Sequence, residues 1–540
     1  MTNTYTPQER RFSLLGLWTT IKILLILGGN FFVLSGALGQ TNTWTGDTDN
    51  NWNVTTNWSE MAVPTSSHDV VIDEDASIIL GAAAYTINSL TISNSSAVTF
   101  TAVTSSRTIT IDETGSSIGA GSTLTLVGGA SGQVMGIAFS GSARTMDISG
   151  SLILVSTGGG GKYTATNSVT TVSGSLINSS NSSAITSTAS NLIFTDGSQF
   201  EHAIVAGSFP AATWEDNSTC VVSGSTTNLP TNGGQTFGNL VYNCPGLTGT
   251  LSLPSSGMTI AGDFEILNTG SGAITMSQTP LGVGGDCRLS DDFNVASGAS
   301  RSLNITGNLT IDGGTISMST TGSTIGTINV TGDVALTGGT ITENGGSGLF
   351  VFNNAGVQTI STGSTVTNTI NYTVSSGTTL QMAASGTTVI GGGTFTLSAG
   401  GTLGVTSDDG ISTSGGTGNI QTTGRTYTAG SNLIYNGNAS QIAGSGLANT
   451  TKANVTINNP GNTVTLSGNT TISAGLTVTA GSTLDVSTYT FSGPTSISLG
   501  CGSTTATAIT GTGLITLAGP ITTTDAGTGT TEQPCPRQSH

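Results

Sequence analysis

The sequence predicts an all-β protein, a right-handed parallel β-helix (β-solenoid) with about 22 to 25 residues in each coil. The first observation is a recurring phrase of a hydrophobic residue, any residue, Gly, then Ser, Asn or Asp, and two mostly apolar side chains one residue apart. It recurs around Gly150, Gly174, Gly262, Gly285, Gly307 and Gly332, and most neighbouring copies are separated by one such coil length. This spacing is typical of stacked coils and too short for globular domains.

A second observation is a longer internal match. Residues 303–317 (LNITGNLTIDGGTIS) align without a gap on residues 328–342 (INVTGDVALTGGTIT). We therefore expect their apolar positions to stack in register inside the solenoid. A string of antiparallel β-sandwich domains also has short alternating strands, but it does not explain one phrase recurring at coil length. Disorder, suggested by the Ser, Thr and Gly content, does not explain the recurring β-branched alternation.

The N-terminus predicts a secretory signal peptide over residues 1–39. Arg10 and Arg11 precede an apolar stretch, which Lys22 interrupts and which ends in the small residues of Ala37-Leu-Gly39. A basic flank, an apolar run and small residues before the cut are the signature of such a peptide, here cleaved after Gly39. An uncleaved membrane anchor is the alternative, because about 20 apolar residues span a bilayer.

Residues 40–68 are predicted to form a tryptophan-rich cap. Trp44, Trp52 and Trp58 fall within fifteen residues, just before the first predicted coil. One interpretation is that the indoles close the open end of this coil. The other is that they contact a ligand, because sugar rings stack on indoles.

Residues 69–523 are predicted to form the β-helical repeats, and residues 524–540 a disordered or truncated tail. Short strands such as those in residues 85–92, 108–111, 123–127 and 464–466 alternate apolar residues with Thr or Ser. Pairs such as Gly-Ser, Gly-Asn and Gly-Gly separate them and are expected to supply the positive φ angles of tight corners.

Charge and composition limit the partners. The chain of 540 residues has 28 acidic and 11 basic residues, a formal net charge of −17. Nucleic acid is excluded as a partner because no basic stripe is present to neutralise phosphates. No stable membrane insertion is expected once the signal peptide is removed. Extracellular glycans or surfaces remain as expected partners.

Cysteine positions predict one disulfide and one core residue. Cys220 and Cys244 are separated by one average coil length, so stacked coils would bring their backbones within disulfide reach. Export would place them in an oxidising compartment. Cys287 instead occupies the inward slot of the phrase, where Phe264 and Leu309 stand in other copies, and is expected to be a small buried hydrophobe.

No catalytic or cofactor site is predicted, although several acids were candidates for a polysaccharide-active β-helix enzyme. They are Asp69, Asp73, Glu74, Asp75, Glu215, Asp216, Asp286, Asp291, Asp292, Asp408 and Asp409, with Arg288 beside the central group. Asp286 falls in a corner slot of the phrase, which indicates a structural role. The run from Asp73 to Asp75 is capable of weak calcium binding, but no Asp-x-Asp-x-Asp-Gly loop completes it. His202 is expected to be a packed or turn histidine, because no nucleophile motif accompanies it.

Three segments carry a family resemblance. They are TWTGDTDNNWNVTTNWSEMAVPTSSHDVVI from Thr43, the block from Phe200 to Pro245 with GSFP and QTFGNLVYNCP, and the block from Leu433 to Asn459 with LIYNG and VTINN. The chain resembles the large secreted β-helical surface proteins of Bacteroidetes-type bacteria. That resemblance implies export by a type IX-like route and adhesion at the cell surface. Such proteins usually end in a C-terminal sorting domain, and the residues that end this sequence do not resemble one.

These observations predict a secreted or cell-surface solenoid acting as a non-catalytic adhesin or structural rod. A polysaccharide lyase or hydrolase on the same fold is the alternative. An ice-binding solenoid is a remote third, suggested by segments such as Thr394-Phe-Thr396. The Thr pairs do not recur at every coil in the sequence, which counts against it.

Overall fold

The chain winds into about 19 stacked coils with almost no helix in a computed structural model, which confirms the predicted parallel β-solenoid. The structure describes residues 39–81, 84–130, 132–501, 507–519 and 521–525. Nearly all of the predicted signal peptide and of the predicted C-terminal tail therefore lies outside the described residues. The strands of neighbouring coils pair in parallel, which rules out the antiparallel β-sandwich alternative.

Each regular coil contributes up to three short strands, one to each of three sheets. Sheet 1 is continuous and has 20 strands: Ala76–Leu80, Ala97–Ala102, Thr123–Val127, Ser151–Val155, Ser175–Ser179, Gln199–His202, Thr219–Val222, Asn239–Asn243, Phe264–Asn268, Cys287–Leu289, Leu309–Ile311, Val334–Leu336, Val357–Thr362, Thr379–Met382, Thr402–Val405, Asn432–Tyr435, Val455–Ile457, Gly475–Val478, Ser496–Cys501 and Ile521–Asp525.

Sheet 2 follows sheet 1 along each coil and consists of three separate ladders. The first is Tyr85–Ile87, Arg107–Ile111, Met135–Phe139, Gly161–Thr164 and Ile185–Thr186. The second is Thr250–Ser252, Ala273–Thr275, Phe293–Ala296, Thr315–Ser319, Thr340–Thr342 and Thr365–Val366. The third is Gln441–Ile442, Thr463–Thr465, Thr483–Asp485 and Ala508–Thr510.

Sheet 3 precedes sheet 1 along each coil and also has three ladders. They are, first, Gln40–Thr43, His68–Ile72, Ser89–Ile92, Ser116–Ile118, Arg144–Ile148, Ser168–Val172, Leu192–Phe194 and Thr213–Trp214; second, Thr236–Phe237, Thr259–Ile260, Leu281–Val283, Arg301–Ile305, Ile325–Val330, Ser347–Phe352, Ile370–Val374, Thr394–Leu397 and Gly424–Tyr427; third, Thr470–Thr471, Phe491–Ser492 and Ile515–Thr516. The described helices are one 3-10 turn, Thr55–Asn57, and one α-helical turn, Ser445–Ala448.

The recurring phrase forms the corner between sheet 3 and sheet 1. In one copy, the sheet 3 strand Arg144–Ile148 ends just before Gly150, and the sheet 1 strand Ser151–Val155 begins just after it. The inward residues of successive copies stack as predicted, because Cys287 lies opposite both Phe264 and Leu309 and is 1% exposed. The longer match is also in register, since Leu303 pairs with Ile328.

The phrase glycines are required by close packing between coils. The expectation that corner glycines supply positive φ angles is wrong for these six, none of which has one. A Cβ atom added to Gly150 would lie 2.1 Å from the backbone oxygen of Ser122, and one added to Gly332 would lie 2.3 Å from that of Gly307. Only a residue without a Cβ allows the coils to approach this closely.

Coil length varies more than the spacing of the phrase predicts. In sheet 1, a short coil pairs Cys220 with Leu240, whereas a much longer coil pairs Thr402 with Asn432. Extra or missing residues lie between the strands, where loops change length at little thermodynamic cost. Inward positions must stay in register, so the strands are kept while the loops vary.

A buried carboxylate ties one coil to the next. Glu343 is 6% exposed, and its Oε2 accepts hydrogen bonds from the backbone N–H groups of Gly345 at 2.7 Å and Gly346 at 2.8 Å. Its Oε1 accepts a bond from the N–H of Thr369, in the following coil, at 3.0 Å. Burial alone would raise the pKa of Glu343, but these donors stabilise the charged form and lower the pKa below its ordinary value.

Replacing Glu343 with Gln is expected to destabilise this part of the solenoid by about 1 to 3 kcal/mol at neutral pH, because an amide NH2 group would face backbone donors. The lowered pKa means that ionised Glu343 stabilises the fold above pH 4.5, and that this contribution disappears as the pH falls through the folded-state value. The difference between wild type and variant should therefore shrink in acid. Thermal unfolding from pH 3 to 7 measures it, and the exposed Glu113→Gln serves as the control.

Candidate functional site

The three tryptophans of the predicted cap are interior residues. Trp44, Trp52 and Trp58 are each at most 4% exposed. Trp52 lies 4.8 Å from Trp58, 5.5 Å from Tyr85 and 5.8 Å from Phe100, measured between ring centroids, in edge-on contacts. The indoles thus close the end of the first coil as the first interpretation states. The ligand-contact interpretation is wrong, because burial leaves no indole face open to a sugar.

The predicted disulfide between Cys220 and Cys244 is not formed, and both are buried free thiols. The coil that starts at Cys220 returns to sheet 1 early, so the register places Leu240 opposite Cys220. Cys244 lies beyond the end of this pairing, where its thiol donates a hydrogen bond to the backbone oxygen of Val222 at 3.2 Å. The prediction assumed that this coil has the average length, and it is wrong because the coil is shorter.

The predicted corner role of Asp286 is confirmed by a ladder of hydrogen bonds. The Oδ1 of Asp263 accepts a bond from the N–H of Asp286 at 2.7 Å, and the Oδ1 of Asp286 accepts one from the N–H of Asn308 at 2.8 Å. The Oδ1 of Asn308 likewise accepts a hydrogen bond from the N–H of Asp333 at 2.8 Å. Each side chain satisfies a backbone donor of the next coil, which is a structural role.

The neighbouring acids do not converge with Asp286. The Oδ2 of Asp291 accepts a bond from the N–H of Thr269 at 2.8 Å, and the Oδ1 of Asp292 accepts one from the N–H of Thr315 at 2.6 Å. Both carboxylates therefore bridge coils through backbone donors.

Arg288, the base beside these acids, has a different partner. Its guanidinium forms a two-donor ion pair with Asp312, with distances of 3.0 Å from Nε and 2.8 Å from Nη2 to the same Oδ2. This pair raises the pKa of Arg288, and the pKa of Asp312 is lowered. Asp312, which the sequence analysis did not single out, lies one coil further on and could have been found from the coil spacing.

The remaining acid candidates are corner or surface residues. The carboxylate of Asp69 accepts bonds from Asn88 at 2.7 Å and Ser89 at 2.6 Å. Those of Asp75 and Glu215 accept backbone N–H groups. Three others are exposed, namely Asp216, Asp408 and Asp409.

The predicted weak calcium run is not supported by a ligand cluster. Within the described ranges, no group of three or more His, Cys, Asp or Glu side chains is placed to hold a metal ion. Asp73 and Glu74 are exposed, and the Oδ1 of Asp75 is engaged by the N–H of Ala97 at 2.8 Å.

The two described histidines have structural surroundings, as predicted for His202. The Nδ1 of His68 accepts a hydrogen bond from the N–H of Thr65 at 3.0 Å within a turn. His202 is fully buried between Phe200 and Phe209, with ring centroids 6.4 and 5.9 Å away. Burial lowers the pKa of His202 to about 4, so its ring is neutral at physiological pH.

Clefts open on the surface where sheet 2 is interrupted. Between Ile185–Thr186 and Thr250–Ser252, the sheet 2 side of the solenoid retains a single described bridge, Ser208 to Thr231. Two depressions of about 400 and 460 Å³ lie here, and both are lined by Asn232. This interruption lies in the block from Phe200 to Pro245 and includes prolines that break the strand alternation, a signal that the sequence analysis did not use.

The larger depression, the Pro230 cleft, is lined by hydroxyl, amide and proline side chains that include Asn228, Ser252 and Pro254. The other, the Trp214 cleft, is bounded by Trp214 and Gln235. The indole Nε1 of Trp214 lies 3.4 Å from the Oε1 of Gln235. The Nε2 of Gln235 donates to the backbone oxygen of Pro210 at 3.1 Å, which holds the amide in place.

A third, smaller cavity of about 220 Å³ marks the second interruption of sheet 2. It lies between the coils of Val366 and Val389, where Val389 pairs with Ile420 instead of with the preceding coil. Tyr372 lines it, and its hydroxyl donates to the backbone oxygen of Ile390 at 3.0 Å. None of the side chains lining these three described cavities carries a charge.

Comparison with known proteins identifies a local family match. A family model described as "Domain of unknown function (DUF8693)" matches residues 43–146, which include the tryptophan cap and the first coils. The curated proteins and the solved structures contain no match to the chain. Among the described residues, no helix is long and apolar enough to cross a bilayer.

Proposed function

We propose that the protein is a secreted or cell-surface β-solenoid that acts as a non-catalytic adhesin or structural rod and contacts glycans or other surfaces. The observation that carries this proposal is the chemistry of the clefts, whose linings offer hydroxyl, amide and apolar groups. Such groups hold an uncharged ligand through hydrogen bonds and packing. General acid–base catalysis would need a titratable group within reach of the ligand.

The acids of the solenoid support the same proposal. Asp286, Asp291 and Asp292 each accept a backbone hydrogen bond from a neighbouring coil. A glycoside hydrolase instead needs two carboxyl groups that face each other across a bond of the substrate. Because these carboxylates already accept hydrogen bonds between coils, they favour a structural role over a catalytic one. A solenoid of this kind is suited to presenting a long binding surface.

Purified protein is expected to bind at least one member of a panel of insoluble polysaccharides, bacterial or host cells and abiotic surfaces. Sedimentation with each material, followed by quantification of the unbound protein, measures this. A soluble protein of similar size and net charge is the control for trapping. Absence of binding throughout the panel would contradict the adhesin role.

Export is part of the proposal and rests on the N-terminal pattern and on the family resemblance. We expect the mature protein to begin at Gln40 and to be found outside the cell, by a type IX-like route in a Bacteroidetes-type host. N-terminal sequencing of the protein from culture medium and from the cell surface tests both points. Protein retained inside the cell with residues 1–39 attached would contradict them.

A polysaccharide lyase or hydrolase on the same solenoid is the second candidate. Release of reducing ends or unsaturated sugars from a polysaccharide panel would favour it, and loss of that activity in Asp286→Asn, Asp291→Asn or Asp292→Asn would locate the site. We expect no such release.

A further inference from the structure

A fully buried histidine lies beside the first interruption of sheet 2. His202 ends the sheet 1 strand Gln199–His202, and its side chain has no exposed surface. Its ring lies between those of Phe200 and Phe209. Among the described residues, neither ring nitrogen has a partner that meets hydrogen-bond geometry. These surroundings favour the neutral ring, because burying a charge without partners costs a large amount of free energy.

The described elements packed against His202 bring no negative charge to its ring. Asn178 and Val222 lie opposite His202 in the two neighbouring strands of sheet 1. Residues 203–210, which follow His202, contain no titratable side chain. Glu201 stands at an outward position of its strand, whereas His202 points inward. A proton taken up by His202 would therefore remain without a counter-charge.

The other titratable groups inside these coils stay neutral in acid. They are the thiols of Cys220 and Cys244 and the hydroxyl of Tyr242, and burial raises the pKa of all three. Burial has the opposite effect on a base and lowers the pKa of His202 to about 4, although the backbone of Ala206 offsets part of this lowering. Between neutral pH and pH 4, His202 is thus the group of this interior that responds to acid.

Residues 203–210, called the 203–210 segment below, cover His202 on the sheet 2 side and are weakly held. The described strand pairing of the segment is one bridge, from Ser208 to Thr231. It consists of a bond from the Thr231 N–H to the Gly207 oxygen at 2.7 Å and one from the Phe209 N–H to the Thr231 oxygen at 2.9 Å. The sheet 1 strand, in contrast, is paired on both sides. Elements with few backbone hydrogen bonds open at the lowest free energy, so the segment should yield before the strand.

The backbone of the same segment supports both of the uncharged clefts. The backbone oxygen of Phe209 accepts a bond from the Nδ2 of Asn232 at 3.0 Å, and Asn232 lines both clefts. The backbone oxygen of Pro210 holds the Nε2 of Gln235 at 3.1 Å. The Oε1 of Gln235 in turn accepts the N–H of Ala212 at 3.1 Å, within the Trp214 cleft. Movement of the segment would therefore remove the supports of both clefts.

We propose that the 203–210 segment is an acid-sensitive gate, which opens when His202 takes up a proton and changes the shape of the Pro230 and Trp214 clefts. A protonated ring has two N–H donors and a charge, and it reaches water only when the segment moves away. Opening is favoured progressively as the pH falls below 6.5, where a solvated histidine takes up its proton, and the gain ends near pH 4, where the closed state is protonated too. Release of a ligand in acid would follow, and that consequence rests on the proposed adhesin function.

Hydrogen exchange of the purified full-length protein measures the opening. The reporter amides are those of Phe209 and Thr231 in the bridge and that of Ala212 at the Gln235 side chain. Wild type and His202→Leu are compared at the same pH, so that the intrinsic exchange rates cancel. Between pH 7 and pH 4.5, the ratio of wild-type to variant exchange rates should rise about fiftyfold, as follows from pKa values of 6.5 in the open and about 4 in the closed state.

Two controls separate the gate from a general effect of acid. His68→Gln removes the other described histidine and should respond to acid as wild type does. The amides of strand Arg301–Ile305 should show the same exchange rates in wild type and in His202→Leu at each pH. If His202→Leu does not fold, His202→Gln replaces it, and protection at Phe209 relative to Arg301–Ile305 is followed in wild type. An undiminished acid response in a folded His202 variant, or equal loss of protection at Arg301–Ile305, would overturn the inference.

Binding at two pH values distinguishes the gate from the adhesin function. Depletion of wild type and His202→Leu on microcrystalline cellulose, chitin and insoluble α-glucan is measured at pH 7 and pH 4.5. Wild type should bind more weakly at pH 4.5, and His202→Leu should lose less of its binding. Acid-stable binding by wild type whose bridge opens would overturn the link to the clefts and leave the adhesin function intact. Absence of binding at both pH values would contradict the adhesin function and leave the gate intact.

Discussion

Trp52→Ala is expected to destabilise the N-terminal coils by about 3 to 5 kcal/mol, the usual cost of removing a large buried aromatic side chain. Trp52 is fully buried against Trp58, Tyr85 and Phe100. Its backbone N–H also bonds to the carbonyl of Ile79 in the first sheet 1 strand, at 3.0 Å. Loss of the indole therefore leaves a cavity at the open end of the solenoid and loosens the segment that covers the strand edge.

Hydrogen exchange is the appropriate measurement, because coils of a solenoid contact mainly their neighbours and unfold partly independently. Strands Ala76–Leu80 and Ala97–Ala102 should lose protection, while strands beyond about residue 300 should keep theirs. Met61→Ala in the same cap is the control, since Met61 is 64% exposed. Unchanged exchange in the first two coils of Trp52→Ala would show that the indole does not close the solenoid. Exposed edges should also make the variant more prone to aggregation.

Gly332→Ala is expected to destabilise the central coils by about 1 to 3 kcal/mol, as overpacking does in well-packed interiors. The added Cβ would lie 2.3 Å from the oxygen and 2.4 Å from the carbon of the Gly307 carbonyl. Backbone atoms on both sides are held by inter-coil hydrogen bonds, including Gly332 N–H to Gly307 oxygen at 3.0 Å. The clash therefore has no flexible side chain to absorb it.

A second glycine-to-alanine variant, at a position without a clash, serves as the control for the general effect of replacing glycine. Gly282 lies in strand Leu281–Val283 with no atom within 4 Å of an added Cβ and without a positive φ. Gly282→Ala should therefore be neutral or slightly stabilising, because alanine has fewer unfolded conformations. Thermal unfolding and local hydrogen exchange of both variants provide the comparison. Equal effects at the two positions would show that inter-coil contact is not what the phrase glycines provide.

In the regular part of the fold, the surroundings of individual residues could be predicted from their positions in the repeated phrase. The slot of Cys287 follows from its alignment with Phe264 and Leu309, and the structure places it opposite both. The corner role of Asp286 follows in the same way from Asp263 and Asn308. These predictions hold because each coil repeats the local environment of the one before it, so position in the repeat determines surroundings.

Predictions that required exact coil lengths failed. Cys220 and Cys244 are separated by an average coil length, yet the coil that starts at Cys220 is shorter and brings Leu240 opposite it. The clefts were missed for the same reason, since they occur where sheet 2 loses its pairing between Ile185–Thr186 and Thr250–Ser252. Loop length is weakly constrained because added residues cost little free energy, so the spacing of the phrase does not predict the length of each coil.

The architecture of this protein, with its corners and its stacked apolar slots, follows from the sequence alone, because a repeated phrase can bury its hydrophobic residues only against its own copies. The reason for glycine at each phrase corner and the burial of the tryptophans became clear from the three-dimensional arrangement of the coils. Those properties depend on distances between residues of different coils, which the register of coils of unequal length sets.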